Sequence, residues 1–373
     1  MRNSFIRSTL PPALCLSVMM ALSILPRLAS AAPAASCAAA PLAGAVKGLT
    51  YAPRKPSTVR SRRVASSNVK SNTAAYRTPA YRQRAQVRRT KVRRVAFKPS
   101  APSLGRSFGL HQTPDALALR SSVAYVIDQN TNEALFEKNA RVVLPIASIS
   151  KLMTAMVTLD ANLPLTDTLE VSNEDRDFEK GTGSRLSVGS RLSRADMLHI
   201  ALMSSENRAA AALSRHYPGG RLAFITAMNQ KAQALGMKDT HFFDSTGLTS
   251  RNVSSARDLA KMVNVAYQYP LIREFSTNAG HHVFTGKKAI QYKSTNALVR
   301  NASLEIGLQK TGFIREAGEC LVMQVTIQNR PLIIVLLDST DKYSRLGDAM
   351  RIHTWVGNGG VQHISRTDAA AAI

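Results

Sequence analysis

No aspartate or glutamate precedes Asp115 in this chain of 373 residues, while 20 of its 49 Lys and Arg lie ahead of that point. A stretch carrying one sign of charge repels itself, and the text from Pro33 to about Gly109 is Ala, Pro, Ser, Arg and Lys without sustained periodicity. It holds too few large aliphatics to offset the entropy of ordering. Folding is therefore confined to the remainder, where about 29 cations face 24 acids and the balance is ordinary. The expected organisation is a leader over 1–31, a basic arm without stable structure over 32–114, one folded domain over 115–366, and a frayed tail over 367–373.

The leader has the physical parts of an export signal. Arg2 and Arg7 precede the apolar run LCLSVMMALSIL, and Ala29-Ser30-Ala31 offers a small-residue cleavage site. The run is short for a bilayer span, so the expected product is periplasmic, soluble or peripherally associated, and cleaved after Ala31. Cys37 raises lipidation as an alternative, but AAS before it lacks the usual leucine. The arm reads as a solvated spacer, or as a tether to anionic wall polymers or lipid head groups. Nucleic acid is not expected in that compartment. Three cysteines, one of them in the leader, make no disulfide framework, and no Cys/His spacing suggests zinc. Neither metal nor organic cofactor is implied.

Order is expected from near Ser121. SSVAYVIDQNTNEALFEKN reads as two strands around a turn at Gln129–Asn132, and CLVMQVTIQNRPLIIVLLDS as two more around Asn329–Pro331. Between them lie helical patterns. One opens at PIASISKLMTAMV. A second starts at Ser193, with Asp196 three residues on, and is interrupted at Ser204–Asn207. Others run through RLAFITAMNQKAQALGM and SSARDLAKMVNVAYQY, and SRLGDAMRIHTWV closes the chain. Strands flanking a helical middle predict an α+β fold, an antiparallel sheet covered by helices with a helical subdomain.

Three short motifs carry chemistry. Ser148 and Lys151 are three apart and share a helix face at its N-terminus, where dipole and free amides favour negative charge on the serine oxygen. A serine hydroxyl needs an adjacent base, and Lys151 serves only when neutral. Bringing a lysine from about 10.4 to about 7 takes roughly 4.6 kcal/mol. A second cation about 6 Å away supplies roughly 2.8 kcal/mol at a dielectric near 20, leaving burial to supply the rest. Lys310, in Lys310-Thr311-Gly312, is the expected second cation. That motif would open an edge strand, its glycine admitting a substrate backbone and its lysine and threonine offering donors to a carboxylate. Ser205-Glu206-Asn207 adds a hydroxyl able to relay a proton and an amide able to bond both Lys151 and substrate.

The three motifs in this order resemble the penicillin-recognising serine peptidases. LPIASISKLMTAM, LMSSENRAAAAL, HYPGG, NVSSARDLAKM and QKTGFIREAGECLVM are similar to the D-alanyl-D-alanine endopeptidase branch of the low-molecular-mass penicillin-binding proteins, over roughly Ser121 to Ile364. The resemblance implies a transpeptidase/β-lactamase-like fold and a peptidoglycan hydrolase that cleaves D-alanyl cross-links and is acylated by β-lactams. It implies Ser148 as nucleophile, Lys151 as base, Ser205 and Asn207 as second element, and Lys310, Thr311 and Gly312 at the substrate carboxylate. It also puts the oxyanion hole at the backbone amides of Ser148 and Phe313. The basic arm departs from that branch's pattern. The lack of a second β-rich domain or C-terminal amphipathic anchor favours the endopeptidase over the related carboxypeptidases.

Three alternatives stand beside this reading. One is a carboxypeptidase of the same family, and another is a catalytically silent wall-binding protein working through its arm. The third is a β-lactamase, which the absence of glutamate from Arg208 to Arg273 disfavours. Plainer expectations cover other residues. His281 and His282 lie in a polar loop, Asp128 and Asp338 end strands, and Glu206 points away from its neighbours' work. Arg315 and Glu316 follow the lysine strand, and a part in shaping the carboxylate end is the lesser reading for them. Cys320, Met153, Met156 and Met203 fill the core.

Overall fold

The computed structural model describes residues 101–360. The leader, Cys37, the arm up to residue 100 and the tail over 367–373 lie outside the described residues. Five strands, β1 (Ser121–Asp128), β2 (Ala134–Lys138), β3 (Glu305–Ile314), β4 (Gly318–Ile327) and β5 (Arg330–Ser339), form one antiparallel sheet in the order β2-β1-β5-β4-β3. β3 is an edge.

The sheet is buried on both faces, and strand alternation divides the core in two. Val123, Tyr125 and Ile127 of β1, with Ile333, Val335 and Leu337 of β5, join the helical side. Their neighbours Ala124, Val126, Leu332, Ile334 and Leu336 join the other side with Ala349, Ile352 and Val356. Those three lie on the last helix, α7 (Lys342–Gly357). A one-residue slip would exchange the two sets, and burying each large aliphatic contributes about 1.5–3 kcal/mol, so the register is strongly held.

On the helical side, α1 (Lys151–Asp160) is enclosed by α2 (Arg194–Met203), α3 (Asn207–Arg215), α4 (Gly220–Ala234), α5 (Ala256–Ala266) and α6 (Pro270–Thr277). Its residues Lys151 to Thr158 are all buried, which places the lysine in apolar surroundings on the first turn. Ser193 caps α2 by accepting from the Asp196 amide, and the break at Ser204–Asn207 separates α2 from α3. Among the described residues no helix is long and apolar enough to cross a membrane.

Three expectations are corrected, and one helix is added. Order begins before residue 114: Leu104–Ser107 is a helical turn whose Leu104 amide donates to the Glu316 carbonyl, with the Ser103 hydroxyl on the Asp338 carboxylate. The added helix is α6, which starts at Pro270, a residue that suits a first helical turn. His281 and His282 lie in a strand, Gly280–Phe284, paired with Ala289–Lys293, not in a loop. The β4–β5 turn is Gln328-Asn329, both with positive φ, and Pro331 is already in β5 opposite Thr326.

Candidate active site

A short 3-10 turn, Ala147–Ser150, leads into α1 and carries Ser148. Two glycines let neighbouring backbone close on it. A Cβ on Gly247, whose φ is +76°, would lie 2.0 Å from the Ala147 carbonyl oxygen, and one on Gly312 would lie 3.2 Å from the Ser148 nitrogen. Only residues without a side chain permit this approach.

One turn on, Lys151 is 1% exposed. Its Nζ lies 2.8 Å from Ser148 Oγ, 2.8 Å from Asn207 Oδ1 and 2.6 Å from the Thr246 carbonyl oxygen. A neutral amine has two hydrogens and one lone pair. The Asn207 and Thr246 oxygens only accept, so they take both hydrogens and leave the lone pair for the Ser148 proton. The Asn207 amide is held in that sense from behind. Its Nδ2 donates to Thr182 Oγ1 at 3.1 Å, and that hydroxyl donates to Asp177 Oδ2 at 2.7 Å.

Burial brings the Lys151 pKa down to about 7, opposed by the carboxylates of Asp244 and Glu206. The expectation that a second lysine supplies the larger share of this shift is corrected. Lys310 is 0% exposed, and burial first, then Lys151 and Arg345, hold its pKa well below the usual lysine value. The repulsion between the two amines thus falls on Lys310, while burial accounts for the shift of Lys151.

Lys310 Nζ donates to Ser205 Oγ at 2.9 Å and to the Thr311 carbonyl oxygen at 2.7 Å. Ser205, with φ +58° between α2 and α3, thereby faces the edge strand, and Thr311 Oγ1 lies 2.6 Å from Thr295 Oγ1. The motif does not open its strand: Lys310-Thr311-Gly312 sits within the second half of β3. Ser148, Ser205, Asn207, Thr311, Gly312 and Phe313 line one cleft of about 270 Å³, so the structure brings every expected residue to one place except the two lysines, which lie beneath its floor.

Sequence reasoning missed several participants. Arg345 on α7 also lines the cleft, buried, its Nη1 donating to Glu319 Oε2 at 2.5 Å and to the Cys320 carbonyl oxygen at 3.0 Å. Arg315, by contrast, is exposed and Glu316 pairs with Lys180 at 2.6 Å. Nothing in an amphipathic helix marks one arginine as special. Asp244 gathers the amides of Thr246, Gly247, Leu248 and Thr249 and so holds the Thr246 carbonyl against Lys151. The turn-rich text DSTG was the available signal. Glu206, expected to be idle, caps α3 and accepts from Ser184 Oγ at 2.5 Å and Tyr292 OH at 3.3 Å. His281 pairs with Asp196 at 2.8 Å and stacks on His199; among the described residues no group of side chains could hold a metal ion.

An antiparallel sheet under a helical cover, with a serine and a buried lysine at a helix opening, defines a serine peptidase of the DD-transpeptidase type. The solved DD-transpeptidase of Streptomyces K15 shares it at a TM-score of 0.60 and 27% identity, over 65% of this chain and 98% of that one. Residues 110–341 match the D-alanyl-D-alanine carboxypeptidase family of S11 peptidases, and the chain belongs to that family. It is 48% identical to the D-alanyl-D-alanine endopeptidase of Pseudomonas aeruginosa, over 66% of this chain and 80% of the relative. To the Escherichia coli protein of that name it is 45% identical, over 71% and 86%.

Proposed function

We propose that the chain is a serine D,D-endopeptidase that cuts D-alanyl cross-links in peptidoglycan through an acyl-enzyme on Ser148. The observation that carries this reading is the buried Lys151 Nζ, 2.8 Å from Ser148 Oγ and within reach of two oxygens that accept its hydrogens. Ser148 attacks the D-alanyl carbonyl and Lys151 takes its proton. The oxyanion rests on the amides of Ser148 and Phe313, which adjoin at Gly312. The Ser205 hydroxyl, held by Lys310, relays to the departing amine the proton that Lys151 took, while Thr311 and Arg345, with Lys310 beneath them, face the carboxylate beside that amine. Water then releases the acyl group.

Identity supports cleavage between strands over trimming of a terminal residue. Relatives named endopeptidase stand at 36–48%, whereas a Bacillus subtilis relative named carboxypeptidase stands at 29%. β-Lactams are expected to acylate Ser148 and to stay, because the cleft carboxylate, Glu319, is engaged by Arg345. The export pattern over 1–31 supports a periplasmic location. The acid-free arm supports weak tethering to anionic wall polymers or lipid head groups, which salt would reverse.

Mass spectrometry of purified cross-linked muropeptides tests the reading. Dimers should fall to monomers, and Ser148→Ala should neither cut nor take a fluorescent penicillin. Loss of a terminal D-alanine alone would leave the carboxypeptidase reading in its place. A wild type that takes no label would favour a silent wall-binding protein.

A further inference from the structure

Lys180 and Glu316 form a partly exposed ion pair, at 2.6 Å, between two segments that wall the catalytic cleft. Lys180 lies two residues before Thr182 and Glu316 three residues after Phe313, and Thr182 and Phe313 both line the cleft. From Lys180 the connections run on around it. Thr182 Oγ1 accepts from Asn207 Nδ2 at 3.1 Å, Asn207 Oδ1 lies 2.8 Å from Lys151 Nζ, and that amine lies 2.8 Å from Ser148 Oγ. The Ser148 backbone abuts Gly312, where a Cβ would come within 3.2 Å of its nitrogen, and β3 leads from there to the turn that carries Glu316. The ion pair closes this circuit.

The two sides of the pair are held differently. In the hairpin between β3 and β4, the Glu316 carbonyl accepts from the Leu104 amide at 3.0 Å, Ala317 is buried, and a Cβ on Gly318 would lie 2.4 Å from Asp338 Oδ1. Backbone and sheet fix that side. Lys180 belongs to a segment, Asp177 to Gly183, without helix or strand. The amides of Glu179, Lys180 and Thr182 all donate to the Asp177 carboxylate, so the segment coheres as a unit. A Cβ on Gly181 or on Gly183 would meet nothing within 4 Å, which leaves the unit room to move. The tie itself is light. Lys180 engages only Glu316 Oε1, and Oε2 has no partner among the described residues. A partly exposed pair of this kind shifts an equilibrium by up to about fivefold.

We propose that the Lys180–Glu316 pair is a strap across the mouth of the cleft, which parts to admit a cross-link and so selects between substrates. The reason is topological. A cross-link is an internal bond, with a stem peptide and sugar continuing on each side of it, and it enters a closed circuit only when the circuit opens sideways. A β-lactam has no such continuation and reaches Ser148 with the strap shut. Parting moves the Asp177–Gly183 segment, while the hairpin and its Phe313 amide stay where acylation needs them. The inference rests on the cross-link reading above and adds what controls entry to that site.

Opening and closing the strap in the full-length chain decide it, with purified sacculi and fluorescent penicillin as the two probes. Lys180→Gln and Glu316→Gln should each quicken cross-link cleavage in sacculi by up to about fivefold and leave the rate of penicillin acylation unchanged. The charge-swapped double variant, Lys180→Glu/Glu316→Lys, should return cleavage to the wild-type rate. For closure, Lys180→Cys/Glu316→Cys, in a Cys15→Ser/Cys37→Ser background with Cys320 buried, is bridged by a reductant-cleavable bismaleimide. Bridged protein should take penicillin at the wild-type rate and leave sacculi uncut, and reduction should restore cutting. Cleavage that is unchanged or slower in both single variants, or bridged protein that cuts sacculi or takes no penicillin, overturns the strap and leaves the peptidase reading standing. Wild type that takes penicillin but cuts no cross-link refutes the cross-link reading, and the strap falls with it.

Discussion

Lowering the pH from 8 to 6 carries Lys151 from mostly neutral to mostly protonated, given a pKa of about 7. The neutral fraction falls from about 90% to about 10%, so acylation should slow about tenfold across that range and level off above pH 8. An ordinary lysine would behave differently. With its pKa near 10.5, the rate would change about a hundredfold over the same two units and keep rising past pH 9. Tenfold with a plateau therefore reports the buried amine. Stopped-flow measurement of the second-order rate of fluorescent penicillin acylation reads this, with far-UV circular dichroism at each pH to establish that the chain is folded. The sign can be pressed further. Asp244 and Glu206 stabilise the charged amine, so Asp244→Asn and Glu206→Gln should each move the midpoint down, by roughly one unit or less for a partly screened carboxylate. A flat profile between pH 6 and 8 in folded protein, or a midpoint that rises in both variants, would refute the argument that burial makes Lys151 the base.

Lys310→Met should abolish peptidase activity and raise stability at neutral pH by roughly 1–3 kcal/mol, since a buried amine held well below its usual pKa opposes folding. The unfolded chain holds a proton there more tightly than the folded chain does. The gain should be present at pH 7 and shrink towards pH 10.5, which urea melts at the two values check. Gly247→Ala combines a left-handed φ of +76° with a clash against the Ala147 carbonyl. It should cost about 2–4 kcal/mol and lose penicillin labelling, read by urea denaturation and gel fluorescence. The penicilloyl adduct on wild type should persist for many minutes by intact mass spectrometry, because Glu319 is bound to Arg345; rapid return to the free mass refutes that.

Much of this was legible because it is local. The apolar runs of β1 and β5 marked strands of an antiparallel sheet, and Ser148 reaches Lys151 because three residues make one turn. The interruption at Ser204–Asn207 marked a break between helices. Local rules also account for the misses: Pro270 is as good an opening as a stop, and Ser103–Gln112 has too few apolar residues to announce that it docks on the sheet.

By itself, then, the sequence determined the antiparallel α+β plan and the three motifs that meet at the cleft. Only the tertiary structure decided the chemistry's setting. Thr246 is 95 positions from the lysine whose hydrogen it accepts, and Asn207 is 56 away. Arg345 arrives from a helix on the opposite face of the sheet. The proton affinity of Lys151 depends on every atom that excludes water from it, a property of packing that no spacing along the chain encodes.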